Sequence, residues 1–379
     1  MSGSDTTPPR QSPQAHSTRR RDAVRHLLHP RQLKDSMALS RQPSLRNATL
    51  AGLQAAITAA IALPLFYLSP WPHLIGFASL GALVALFGRF APSRSRPGIL
   101  LLCGICQVVA VFVMSAAAWL GAPMAFQLVL LAMSCGVFLF VSVTGQFGPP
   151  GPLIFIFAAG ASVSVGLSFE QVIERTAATA IVAVLAWIVC YATEALRHLP
   201  TSDRPFPSDP EQPLRHRLVA AARSTAGAGI AIFASYAFGG SHPAWAAMGA
   251  LAVMQGSHLH ITMNRAVQRM AGTIVGAVLA FVLLTQDPSV WTVISILVVL
   301  QLLTEMVIGI NYAFGQILVT PMALLITYLG AAQAVGPETA PERVLETLLG
   351  AAVGIGMSVI FSTIDDRRHL AEHRLGRST

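Results

Sequence analysis

The chain has 379 residues, of which 54% are hydrophobic and only 11% charged, and its mean hydropathy is +0.61. Soluble domains carry about 25% charged residues, so this chain lacks the polar surface of a water-exposed globule, and its recurring stretches of about 20 apolar residues read as membrane helices rather than one soluble core. The net charge of +8 does not describe a nucleic-acid groove: nine of the 25 Lys and Arg fall between Arg10 and Arg46, and most others sit in short gaps between apolar runs or in the C-terminal tail.

Residues 1–45 are rich in Ser, Pro, Gln, Arg and His. They read as a disordered basic cytoplasmic tail, in which Arg21 to Leu28 has the makings of a short surface helix. The first long apolar stretch begins near Ala48, too far in for a cleaved signal peptide. A first membrane unit, 46–196, holds six expected spans: 48–68, 72–89, 98–120, 125–143, 151–167 and 172–193. A Pro-, Ser- and Asp-containing cytoplasmic linker, 197–216, leads to a second unit, 217–363. Its spans are expected at 218–238, 243–257, 268–285, 289–309, 315–333 and 343–362. Several are short, 243–257 above all, as tilted, broken or re-entrant helices are. A polar, basic cytoplasmic tail, 364–379, follows. Gly, Ala and Ser are dense throughout, which lets helices approach closely in lipid. Cys103 and Cys106 have redox-pair spacing, but they lie inside an apolar run and read as small residues of a helix.

The two units echo each other. Gly81-Ala82-Leu83 lies 168 positions before Gly249-Ala250-Leu251, Gly104 lies 168 before Gly272, and Glu174-Arg175 lies 168 before Glu342-Arg343. Near Pro152 and Pro321 the offset slips to 169. The expected fold class is therefore all-α: a polytopic membrane protein of about twelve transmembrane helices, arranged as two parallel six-helix repeats.

Charge sets the orientation. With the N-terminus in the cytoplasm, the inward gaps hold Arg89, Arg94, Arg96, Arg197, Arg204, Arg215, Arg217, Arg265 and Arg269, and the outward gaps hold only Arg175 and Arg343. This bias places both termini in the cytoplasm of a multi-pass cell inner membrane protein. Reporter fusions after Arg217 and after Arg377 are both expected to report cytoplasm. A periplasmic signal at either site ends this topology.

Polar side chains in hydrocarbon are costly and need a reason. Arg223, about one and a half turns into the seventh span, either snorkels to the cytoplasmic face or faces an anion. Gln255 to Arg269 reads as a polar turn carrying His258, His260, Asn264, Arg265 and Arg269. The two His either relay protons or sit in a solvated loop. With no Cys or carboxylate beside them they are not read as a metal site. Arg265 and Arg269, four apart, share a helical face and either bind anionic lipid or attract an anionic substrate. Glu305 is either the partner of one of these Arg or a protonatable coupling group, with Asn311 beyond it. Arg223, Arg265 and Arg269 are expected to line a positive cytoplasmic vestibule. Glu342 and Arg343 open the last span, where a carboxylate suits the helix dipole, and Glu346 lies deeper. No P-loop, dinucleotide glycine pattern or nucleophile elbow is present, so no enzyme and no cofactor is expected. Three function classes remain: a carrier, a small-anion channel using the same Arg-lined mouth, and a structural membrane protein with no conducting path.

The run Arg265-Ala-Val-Gln-Arg269-Met-Ala-Gly272-Thr273-Ile-Val-Gly276 resembles the RxxGTxxG helix opening of the fusaric acid resistance family of integral membrane transporters, related to aromatic acid exporters. Glu342-Arg343 with the later Gly350 and Gly354 resembles the last span of the same domain, and the first unit keeps Gly104 but has Leu101 where Arg269 stands. The resemblance covers about 45–363. It implies an inner-membrane secondary carrier that exports aromatic or other organic acids driven by protons. Its implied partners are an organic-anion substrate and protons, with anionic lipid around it, no nucleic acid, and homo-oligomerisation left open. Larger members carry a substantial cytoplasmic domain, for which the linker here has no room.

Overall fold

The computed structural model describes residues 36, 38–40, 42–199, 206, 212–255, 259–330 and 336–361, with the backbone only at 259 and 260. Twelve α-helices are described and no strand. They are α1 (Leu45–Leu68), α2 (Ile75–Ala82), α3 (Arg96–Trp119), α4 (Met124–Thr144), α5 (Leu153–Ala161), α6 (Phe169–Ala192), α7 (Leu214–Ala237), α8 (Pro243–Met254), α9 (Leu259–Leu284), α10 (Val290–Val307), α11 (Tyr312–Gly330) and α12 (Thr339–Ile360). Each overlaps one expected span. Nine are long and apolar enough to cross a membrane, while α2, α5 and α8 are shorter. The chain is a polytopic all-α membrane protein.

Local chemistry sets several boundaries. Ser168 and Gln171 form a reciprocal capping box that starts α6 at Phe169, three residues before the expected start. Ser44 and Ser289 cap α1 and α10 by accepting from the backbone N–H of Asn47 and Thr292, each at 3.2 Å. Pro152 opens α5, whereas Pro321 sits inside an unbroken α11. Proline lacks an N–H, so the Ile317 carbonyl one turn back has no helical donor. Gly276 packs on that carbonyl so closely that a Cβ there would lie 2.7 Å from its oxygen.

Along α3 the exposed apolar residues Leu101, Leu102, Ile105, Val109 and Phe112 recur at helical spacing, the pattern of a lipid-facing stripe. Its other face buries Cys103, Cys106, Gln107, Val111 and Met114. Both cysteines are free thiols.

The helix pairing is regular. Within the first six helices α1 packs on α2, α2 and α3 on α6, and α3 on α5; in the second six α7 packs on α8, α8 and α9 on α12, and α9 on α11. Between the sets α1 packs on α10 as α7 packs on α4, and α2 on α11 as α8 on α5. Details follow the same offset. A Cβ on Gly81 would meet the Thr179 carbonyl oxygen at 2.6 Å, and one on Gly249 would meet that of Thr347 at 3.2 Å. Arg175 lies over the Phe77 ring and Arg343 over the Trp245 ring, both at 5.0 Å.

The expected polar turn from 255 to 269 differs from the structure. Helix α9 begins at Leu259, so Asn264, Arg265 and Arg269 are helical. The reason is tertiary: Met263 and Ala266, with Val267 and Met270, pack against Ala351, Ile355 and Val359 of α12, and that contact carries the helix past its polar side chains.

Candidate functional site

Two groups of buried charge stand out. The first joins the two halves at the end expected to face the cytoplasm. Gly88 takes a left-handed φ of 64°, which turns the chain after α2 into the 87–95 loop. Asn47 and Arg197 both donate to the Arg89 carbonyl, at 3.2 and 3.1 Å. The Arg89 side chain then donates to Glu305 near the end of α10, and the two side chains are 7% and 5% exposed. Glu305 is thus paired with Arg89 of the other half rather than with Arg265 or Arg269. The pair was missed because the two residues lie 216 positions apart and nothing local links them.

The remaining buried inward cations of the first half are neutralised. Arg96 donates to Glu194 at 2.8 Å and to Gln54 at 2.7 Å, and Arg197 donates to Glu194 at 2.6 Å. Partial burial works against ionisation of Glu194, but hydrogen bonds from Arg96 and Arg197 outweigh it and hold the carboxyl below its usual range. A cavity of about 110 Å³ lies beside this cluster, lined by Arg96, Trp187, Cys190 and Glu194 among others.

The second group lies inside the other half. Arg269 is buried among α9, α11 and α12, not at an open mouth. Its Nη1 lies 3.0 Å from the Tyr312 hydroxyl and 3.4 Å from Gln316 Oε1. Arg343 on α12 is 3% exposed, rests on Trp245 of α8, and lies within electrostatic reach of Arg269, Tyr312 and Glu346. Trp245 is itself stacked on His242, with ring centroids 4.1 Å apart. Glu346 is 5% exposed and accepts from the Ser235 hydroxyl at 2.7 Å. Among the described residues none of Arg269, Arg343 and Glu346 makes an ion pair, and Arg269 Nε, Arg343 Nε and Nη1, Glu346 Oε2 and Thr347 Oγ1 have no hydrogen-bond partner. Glu342, one turn before Glu346, is held by His242 Nδ1 at 3.1 Å, much as His73 lies 3.3 Å from Glu174 in the first half.

The other expected site residues fall as follows. Arg223 is half-buried, with its guanidinium 5.8 Å from the Phe361 ring centroid. Arg265 is half-buried on α9. Asn264 accepts from the Ser36 hydroxyl at 3.0 Å, and Asn311 donates to the Ser36 and Ala38 carbonyls, each at 3.2 Å. With Gln268 donating to the Ser36 carbonyl at 2.7 Å, these contacts lay the segment just before α1 across the ends of α9 and α11. His258 and the side chain of His260 lie outside the described residues. Arg343 is the site residue that sequence reading undervalued. The available signal was the Glu-Arg pair repeated 168 positions apart, one of only two cations assigned to an outward gap.

Comparison with known proteins agrees with the resemblance seen in the second unit. Residues 230–357 match the family described as fusaric acid resistance protein-like. The uncharacterized membrane protein YvaC of Bacillus subtilis (strain 168) is 39% identical over 103 residues. That match covers 26% of this chain and 16% of the relative. No solved structure matches.

Proposed function

We propose that this chain is a secondary carrier that exports aromatic or other organic acids across the cell membrane, coupled to protons. The carrying observation is buried charge within a membrane-spanning bundle: Arg89, Arg269, Arg343, Glu305 and Glu346 are each at most 7% exposed. Ionisable groups inside a membrane bundle mark substrate or proton paths, because their desolvation is costly without a function. The family match over 230–357 supports the same reading.

The reciprocal packing of α1 on α10 and α7 on α4 supports two six-helix repeats in the same orientation, related by an axis along the membrane normal. Carriers of such build alternate access by rocking one half against the other. The Arg89–Glu305 pair bridges the halves at one end. Opening that end separates the pair and admits water to Glu305, through which a proton carried inward passes to the cytoplasm. The vestibule of Arg223, Arg265 and Arg269 becomes a graded path, with Arg269 at its buried end.

Counterflow in proteoliposomes tests the class. A carrier exchanges labelled for unlabelled benzoate and saturates; a channel collapses a potential without exchange; a scaffold does neither. In inside-out vesicles Glu305→Gln is expected to keep exchange but lose accumulation driven by a proton gradient. Normal accumulation by that variant removes Glu305 from the coupling path.

A further inference from the structure

We infer that Arg269 and Arg343 together hold the carboxylate of one organic monoanion inside the second half of the bundle, and that Glu346 beside them rejects a second negative charge. This site rests on the carrier reading and gives it a binding centre.

A buried guanidinium is retained only where it is paired or hydrogen-bonded. Every described inward cation of the first half that is buried has a carboxylate: Arg89 has Glu305, and Arg96 and Arg197 share Glu194. Arg269 and Arg343 are as deeply buried and have none among the described residues. Arg269 Nε, Arg343 Nε and Arg343 Nη1 reach no acceptor, whereas among the buried nitrogens of Arg89, Arg96 and Arg197 only Nε is so left. They come from α9 and α12, which pack directly, and Thr347, one turn beyond Arg343 on the same face, adds a hydroxyl without a partner. Two guanidiniums with free donors suit a carboxylate, to which each can donate a charge-assisted hydrogen bond.

Trp245 is a positioning residue. Its ring lies between His242 and Arg343, so it fixes the guanidinium and leaves no face for a ligand. Tyr312 and Gln316 do the same for Arg269 from α11. The two guanidiniums match one carboxylate, and the Glu346 carboxyl, whose Oε2 has no donor, presents an acceptor where a second carboxylate of the ligand needs a donor.

The site exists once per chain. In the first half Leu101 stands where Arg269 does, and Ala178 where Glu346 does. Arg175, the counterpart of Arg343, donates to the Ser164 hydroxyl at 3.1 Å.

The test uses the full chain in lipid nanodiscs at pH 7.5, with equilibrium binding of labelled benzoate and thermal melting as separate readouts. Unlabelled benzoate is expected to compete, chloride and the dianion phthalate to compete at least tenfold less well, and Arg175→Gln to bind as wild type does. Arg269→Gln and Arg343→Gln are expected to weaken benzoate binding about tenfold or more, the loss of one charge-assisted contact. Glu346→Gln is expected to bring phthalate close to benzoate in affinity. Arg343→Met separates a binding role from a structural one: removing an unpaired buried cation raises the melting temperature of the ligand-free protein while abolishing its shift with benzoate. Wild-type affinity in folded Arg269→Gln and Arg343→Gln, equal competition by chloride, or a lower melting temperature in Arg343→Met overturns the site. If wild type exchanges benzoate in proteoliposomes while both Gln variants keep its concentration dependence, the site falls and the carrier reading stands. If wild type exchanges no organic anion, the carrier reading falls and takes the site with it.

Discussion

Glu305→Leu is expected to cost about 3–5 kcal/mol of stability, because it leaves the Arg89 guanidinium buried without its counter-ion. Arg89 cannot relax away. Its carbonyl is fixed by Asn47 and Arg197, and its guanidinium lies 5.3 Å from the Phe90 ring centroid, within the same packed loop. Arg89→Leu alone leaves a buried carboxylate and costs a similar amount. The double variant Arg89→Leu/Glu305→Leu removes both desolvation penalties and is expected to recover most of the loss, since buried ion pairs are often replaced by apolar residues at little net cost. A double-mutant cycle of melting measurements in lipid reads the coupling directly. Single variants that melt as wild type does, or a double variant that melts at the sum of the single losses, means that the two side chains do not act as a pair.

Gly350→Val is expected to separate α8 from α12 and to cost more than the 1–3 kcal/mol or so typical of overpacking. The neighbours are main chain, not side chains that can turn aside: a Cβ at Gly350 would lie 2.9 Å from both the Ala246 carbonyl carbon and the Ala250 nitrogen. Gly249 faces it, its own Cβ position 3.1 Å from the Gly350 Cα, so the two backbones touch where both residues lack side chains. Because α12 carries Arg343 and Glu346, the same change displaces the proposed anion site. The internal comparison is Gly356→Ala on the same helix, where nothing lies within 4 Å of an added Cβ. It is expected to be neutral or to stabilise by up to about 1 kcal/mol through helix propensity. Fluorescence-detected size exclusion after heating reads both. Wild-type stability in Gly350→Val contradicts the close crossing.

Helix count, class and most boundaries were legible in the amino-acid order, because they depend on local properties. An apolar stretch near 20 residues forms a helix in lipid whatever its neighbours do, since each backbone polar group must be satisfied within the segment. The family resemblance was legible at Arg265 to Gly276, and the match over 230–357 contains that run. Even the shortness of α8 was visible, because Pro243 fixes its start and the polar residues from Gln255 limit its end.

What composition and spacing determined by themselves was therefore which segments are helices, which faces are apolar and where charge is scarce enough to be noticed. Partner choice needed the tertiary structure. Glu305 had two cations of its own half as candidates, and only the packing of α1 on α10 showed that Arg89 reaches it instead. Arg269 read as a mouth residue because a polar turn was expected before it. Packing of Met263 and Ala266 on α12 extends the helix, so Arg269 stands about ten residues, roughly 15 Å, from the start of α9 and is buried there. Arg343 looked like a helix-end charge until α8 and α9 closed around it. The physical reason is the same in each case: a side chain's charge is local, but its cost and its partner are set by what surrounds it after folding.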